Sequence, residues 1–420
     1  MKKSIIGLAL AAIGSTALAV NPVEWRVAYL SSLQENPPLT TAGMGCGYFV
    51  VDRVANTVTY RITVNDLTTA ESAAHIHGPA GPGTNAGVAH TLPAGRVKTG
   101  VWNYDESREA DILAGKYYVN VHTTANPGGE LRGQICTHVA NLDGAQENPA
   151  VATAARGFAV INMDTQHNQL HYYIYYQGLS AAETAAHFHG YQVHGQNAGV
   201  VHALALGAVK TGTWNYDESR ENDIFNGMTY VNVHSSAFPG GEIRGQVCGT
   251  VVPIDGNQEV PPVPTDGNGC GLFAMDVAGN VLGFDTRTTQ LSSAQTVQHI
   301  HGWVPAGTNG GVRYSLPAGD RKLGRLTYVE ADEANFFNDL GYFNQHTSNF
   351  PGGEVRGQIR VPAVPLCPTD MDGDGFVTGI DYDLYVQAFE NGDPAGDYDF
   401  DGFPSGVDFD LFVVDFEAGC

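Results

Sequence analysis

The sequence is short of positive charge. Lys and Arg total 21 against 44 Asp and Glu, a net charge of −23 in 420 residues. A surface this acidic repels phosphate backbones, which argues against a nucleic-acid partner. Beyond residue 19 no apolar run reaches the roughly 18 residues of a membrane helix, so no membrane span is expected. Catalytic signatures are missing as well: there is no Gly-x-Ser-x-Gly elbow and no recognisable set of nucleophile, base and orienter. From Cys367 to Cys420 Lys and Arg are absent altogether, while 14 of the acids fall there. The first 366 residues hold 30 acids and 21 bases, a mild excess. Glycine is plentiful at 52 residues, as frequent tight turns require. With 43% hydrophobic residues the chain can build packed cores.

The N-terminus reads Met1-Lys2-Lys3, then an apolar run from Ile5 to Ala19 that closes on Ala17-Leu18-Ala19. That is the pattern of a signal peptide, residues 1–19, and predicts a secreted protein, extracellular or at the cell surface. Six Cys in an exported chain are expected to form disulfides.

A repeat of 112 residues organises the rest. His75-Ile76-His77-Gly78 returns as His187-Phe188-His189-Gly190 and as His299-Ile300-His301-Gly302. Pro127-Gly128-Gly129-Glu130-Leu131-Arg132-Gly133-Gln134 recurs at 239–246 and 351–358, and Gln34-Glu35 at 146–147 and 258–259. The boundaries expected are 22–138, 139–250 and 251–362, followed by a small module at 367–420. Segments such as 57–64, 116–122 and 171–176 alternate with period two and read as strands between Gly/Pro turns. One short stretch, 106–114, suits a helical turn. The fold class predicted is mainly β: three tandem antiparallel β-sandwich-like domains plus a small α-helical calcium-loop module.

His75-Ile76-His77-Gly78-Pro79-Ala80-Gly81, the Asn120-Val121-His122-Thr123 strand and the Pro127–Gln134 turn together resemble the CHRD (chordin-type) domain family. The resemblance covers all three repeats and implies extracellular β modules. It supplies no reaction.

Nine His lie at matched places: His75, His77 and His122; His187, His189 and His234; His299, His301 and His346. Residues i and i+2 of a strand share a face, so each His-x-His pair points one way. The third His joins them if its strand is a neighbour. Three imidazoles on one face suit Cu or Zn, and the arrangement is faintly similar to copper/zinc superoxide dismutase. His90 and His202 offer a fourth ligand in two repeats, where repeat three has Tyr314. Alternatively these His hydrogen-bond loop backbones and support the turns. Glu130 and Arg132, on one strand face, are expected to pair laterally and maintain the fold.

The tail carries twelve-residue loops with calcium-ligand spacing. The first offers Asp370, Asp372, Asp374, the Phe376 carbonyl, Thr378 and Asp381; the second offers Asp397, Asp399, Asp401, the Phe403 carbonyl, Ser405 and Asp408. Calcium needs six to eight oxygens, and this spacing converges them. Asp at the twelfth position and loops 27 residues apart resemble the dockerin family, which implies two calcium ions and attachment to a protein scaffold or cell-surface component. Tyr382, Tyr385, Phe409 and Phe412 would be either a docking face or the packing between two short helices.

Within the repeat frame, the disulfides expected are Cys46–Cys136, Cys248–Cys270 and Cys367–Cys420. The sequence thus predicts a secreted, non-enzymatic binding or structural protein with a calcium-binding, dockerin-like tail. The alternative is a Cu/Zn metalloprotein using the His clusters.

Overall fold

The structure is a computed structural model that describes residues 23–165, 167–362, 369, 371, 377–398 and 403–418. The signal segment 1–19 lies outside the described residues, as do Cys367, Cys420 and much of both calcium loops. The three repeats form one compact unit and the tail forms another.

Repeat one is built from β1 (Val23–Ser31), β2 (Met44–Asp52), β3 (Thr57–Asn65), β4 (Glu71–His77), β5 (Val88–Thr91), β6 (Val97–Asn103), β7 (Tyr117–Thr123) and β8 (Leu131–Ile135). The expected helical turn is present as a 3-10 turn at Glu106–Arg108 running into the helix Glu109–Leu113. Asp105 caps that turn by accepting from the Ser107 N–H. Repeats two and three reproduce the order strand for strand.

The expected two-layer sandwich needs correction. Each repeat is a single eight-stranded antiparallel sheet, ordered β5-β4-β7-β8-β1-β2-β3-β6 in repeat one. β1 pairs with β2 along its whole length and also meets β8 at Ser31 and Arg132, which keeps both halves in one sheet. The sheet's two edge strands, β5 and β6, are joined by residues 92–96 alone. Five residues reach at most about 20 Å, so the sheet must curl until its edges approach, giving a barrel-like shape. Lys98, fully buried on β6, pins the closing segment by donating to Glu71 and to the carbonyls of Pro93 and Gly95.

Alternation along β1 and β2 explains why the repeats fuse. Ala28, Leu30, Phe49 and Val51 point into the core of repeat one. Val27, Tyr29, Met44 and Cys46 point the other way, into a second apolar cluster shared with Phe158 and Val160 of repeat two and Cys270 and Leu272 of repeat three. A run buried on both faces, like Val27–Leu30, marks a strand sandwiched between two cores. Arg61 clamps the junction by a bidentate pair with the buried Asp255 of repeat three, at 2.6 and 3.0 Å.

This shared core overturns two of the disulfide expectations. Cys46 bonds Cys270, the equivalent position two repeats on, with the Cα atoms 5.9 Å apart. Cys136 and Cys248 are buried free thiols. Cys46 lies opposite Tyr29 on one side of β1, while Cys136 bridges Val27 on the other side. The intervening strand puts two spacings of about 4.8 Å between them, beyond disulfide reach. Cys248 is held against Val139 by paired backbone bonds of 2.9 and 3.0 Å, and its expected partner Cys270 is already bonded.

In the tail, helices run from Gly379 to Asn391 and from Gly406 to Ala418. Tyr385 stacks on Phe412 at 3.6 Å, while Tyr382 packs on Phe409 and Phe416. Tyr385 and Phe412 are fully buried, so these aromatics are the packing between helices.

Candidate functional site

The nine repeated His come together in threes. β4 pairs with β7 so that His75 lies opposite Asn120 and His122 opposite Ala73. His122 is therefore the diagonal neighbour of His75 on one sheet face, within side-chain reach. His77, two residues along β4, completes the group. In each repeat one ring nitrogen from each of the three His lies within 4.8 Å of the other two.

The clamps on these rings repeat as well. His77 Nδ1 is 2.9 Å from the Ala86 carbonyl, and His122 Nδ1 is 3.0 Å from the Pro127 carbonyl. The counterparts are His189 to Ala198 and His234 to Pro239, at 2.9 and 3.0 Å, then His301 to Gly310 and His346 to Pro351, at 3.0 and 2.8 Å. A carbonyl only accepts, so each of these Nδ1 atoms donates its hydrogen and each Nε2 presents a lone pair. The Pro-Gly-Gly turn thus has a chemical use: its Pro carbonyl orients the third His. His77, His189 and His301 are also fixed by stacking on Tyr118, Tyr230 and Tyr342.

The nitrogens facing inward lack partners in repeat one: His75 Nδ1, His77 Nε2 and His122 Nε2 are buried without a hydrogen bond. In repeat two His187 Nδ1 is 3.2 Å from His234 Nε2. In repeat three His346 Nε2 is 3.3 Å from both His299 Nδ1 and His301 Nε2. Burial, followed by repulsion among the rings, holds His75, His187 and His299 below the ordinary histidine range. Burial also depresses His77, His189 and His301, against the raising effect of their carbonyl bonds.

The fourth-ligand expectation is corrected. His90 lies opposite Ile76, His202 opposite Phe188 and Tyr314 opposite Ile300, so all three share the core-facing side of the sheet. His90 and His202 stack on Trp102 and Trp214, away from the clusters.

Glu130 and Arg132 do not pair with each other. Glu130 accepts from the Thr68 N–H and from the hydroxyls of Thr68 and Thr123, at 2.7 to 2.9 Å. Arg132 lies 3.6 Å over the Tyr118 ring and donates to the Gly81 carbonyl and Gln134. The same roles recur at Arg244 over Tyr230 and Arg356 over Tyr342. These residues brace β7, the strand that carries the third His, a link sequence spacing alone does not show.

A further repeated group escaped the sequence reading. Glu35, Glu147 and Glu259 are buried, and burial pushes each carboxyl up to about 7. Each accepts one bond from an Asn amide: Asn120, Asn232 or Asn344, at 3.2 to 3.3 Å. The other carboxyl oxygen and the Asn carbonyl oxygen have no partner in any repeat. The Gln-Glu step at constant spacing was the available signal.

In the tail, Asp370, Asp372, Asp374, Phe376, Asp399 and Asp401 lie outside the described residues. Asp381 accepts from the Thr378 N–H at 2.8 Å and hydroxyl at 3.0 Å, closing a capping box. Asp408 accepts from the Ser405 N–H at 2.6 Å, and the Ser405 hydroxyl accepts from the Val407 N–H at 3.2 Å. The ninth and twelfth loop positions therefore have matching geometry in both halves, with Asp381 and Asp408 buried.

Three curled antiparallel sheets bearing the same His face define a tandem β-repeat protein of one module type. Residues 26–135, 138–247 and 250–359 each match the CHRD domain, and the chain belongs to that family. It is 32% identical over 164 residues to chordin from Danio rerio, covering 32% of this chain and 17% of that protein. Against chordin from Xenopus laevis it is 30% identical over 180 residues, 36% of this chain and 18% of that protein. The chain thus spans under a fifth of the length of these relatives. No solved structure matches it.

Proposed function

We propose that the protein is a secreted, non-enzymatic binding protein whose three CHRD repeats form one rigid platform, held at a surface or in an assembly by a calcium-loaded tail. The observation that carries this reading is the fusion of the repeats through a shared core and a Cys46–Cys270 crosslink. Such a unit presents one kind of face three times in fixed geometry, as multivalent binding requires. For the tail, the support is the matched capping of Asp381 and Asp408, which places one acid of each loop at the start of its helix. Val407, Leu411 and Val414 form an exposed apolar stripe at helical spacing and offer a docking face.

Attachment is tested on the intact secreted protein by treating producing cells with EGTA. Release into the medium, loss of helical circular dichroism from the tail, and recovery of both with Ca²⁺ are expected. An Asp372→Ala/Asp399→Ala variant should be released without EGTA. Unchanged helical signal in EGTA would sink the calcium reading; wild-type protein wholly free in calcium-containing medium would sink attachment.

A further inference from the structure

We propose that each CHRD repeat is a transition-metal site in which three imidazoles bind one Zn²⁺-type divalent ion and leave a further coordination position open. The ligand atoms are Nδ1 of His75, Nε2 of His77 and Nε2 of His122, with the equivalent atoms of His187, His189 and His234 and of His299, His301 and His346.

In repeat three both His301 and His346 commit their Nδ1 hydrogens to backbone carbonyls. Their Nε2 lone pairs then face each other at 3.3 Å. Two neutral rings cannot hydrogen-bond in that arrangement, and the contact is repulsive unless a cation stands between them. The spacing also fits a metal. Ligands at about 2.05 Å on a tetrahedral Zn²⁺ stand about 3.3 Å apart, and the nitrogen pairs in repeats two and three are separated by 3.2 and 3.3 Å. The carbonyl clamps supply the outer contacts that fix the tautomer and aim of metal-bound His. In repeat one the three inward nitrogens are buried without partners, a cost that coordination would remove. Three independent copies retain the same donor atoms and clamps. His75, His187 and His299 have no backbone clamp and are the ligands free to adjust.

A structural role for these His predicts a different outcome from metal ligation, so the two separate in one experiment. The full secreted chain is stripped with chelator, exchanged into buffer with millimolar Ca²⁺ to fill oxygen-ligand sites, and titrated with Zn²⁺ by calorimetry. Three equivalents per chain are expected, one for each cluster. His75→Gln, His187→Gln and His299→Gln should each remove one equivalent and together remove all three. These unclamped positions are chosen so that the fold survives; circular dichroism and the thermal midpoint of the stripped variants check this. Co²⁺ loaded in place of Zn²⁺ should give the intense visible bands of low-coordinate nitrogen ligation, lost in the triple variant. Fewer than three equivalents, or three that persist in a folded triple variant, would overturn the proposal. Failure here would leave the binding-platform reading untouched, because that reading rests on the shared core.

Discussion

The three buried glutamates make stability depend on pH in a direction opposite to that of an ordinary salt-bridged carboxylate. Glu35, Glu147 and Glu259 have folded-state values near 7 against 4.5 when exposed, because burial penalises their charged form. A raised value means that the folded state holds the proton more tightly. The contribution is fully present below 4.5 and is lost as pH rises through 7. A shift of this size corresponds to about 3 kcal/mol per carboxyl. The perturbation is Glu35→Gln/Glu147→Gln/Glu259→Gln. An amide has the acid's shape, stays neutral, and can donate to the orphan Asn carbonyl oxygen while still accepting from the Asn amide. Buried His138 and His194, which desolvation holds down to about 4 and about 3, cost stability as pH falls below 6.5, so the informative quantity is the difference between the two proteins. Urea unfolding, followed by the fluorescence of buried Trp102 and Trp214, gives that difference at intervals from pH 4.5 to 8. The variant should match the wild type at the acid end. It should exceed it by about 3 kcal/mol for each repeat that unfolds in the transition at the alkaline end. A difference independent of pH would refute the reasoning.

Replacing Cys46 and Cys270 by Ser opens a loop of 224 residues and should lower stability by about 5 kcal/mol in the chain-entropy picture, read from urea unfolding. A non-reducing peptide map should link these two Cys, and a Cys46–Cys136 peptide would contradict the fold. At the Pro-Gly-Gly turn, Gly129 has φ +131° and a Cβ there would stand 2.4 Å from Asn120 Oδ1. Gly129→Ala should therefore cost roughly 2 kcal/mol or more in thermal unfolding. Gly128→Ala, whose Cβ would meet nothing within 4 Å, should be nearly neutral, and equal effects would dismiss the steric account.

Much of the His site was legible because its signal is local. A strand's period of two put His75 and His77 on one face, and repetition flagged His122. Pairing of β4 with β7 and the carbonyl clamps required the fold, since they join residues whose contact depends on strand order. The same limit misplaced His90, which shares the spacing but lies opposite the core residue Ile76. Both members of the Glu35–Asn120 pair recur with the repeat, but they lie 85 residues apart and only the fold shows that they meet.

By itself the sequence determined the repeat, the β character and the residues that could ligate metal, because periodicity and side-chain chemistry are properties of the chain. Charge placement belongs to this class too: the acid-rich, base-free tail is visible without coordinates. Only the tertiary structure decided that each repeat is one curled sheet, that the three share a core, and that Cys46 meets Cys270. A strand whose two faces are both apolar says that something covers each face. Which repeat supplies the cover is fixed by packing between segments far apart in the chain, and no local pattern records it.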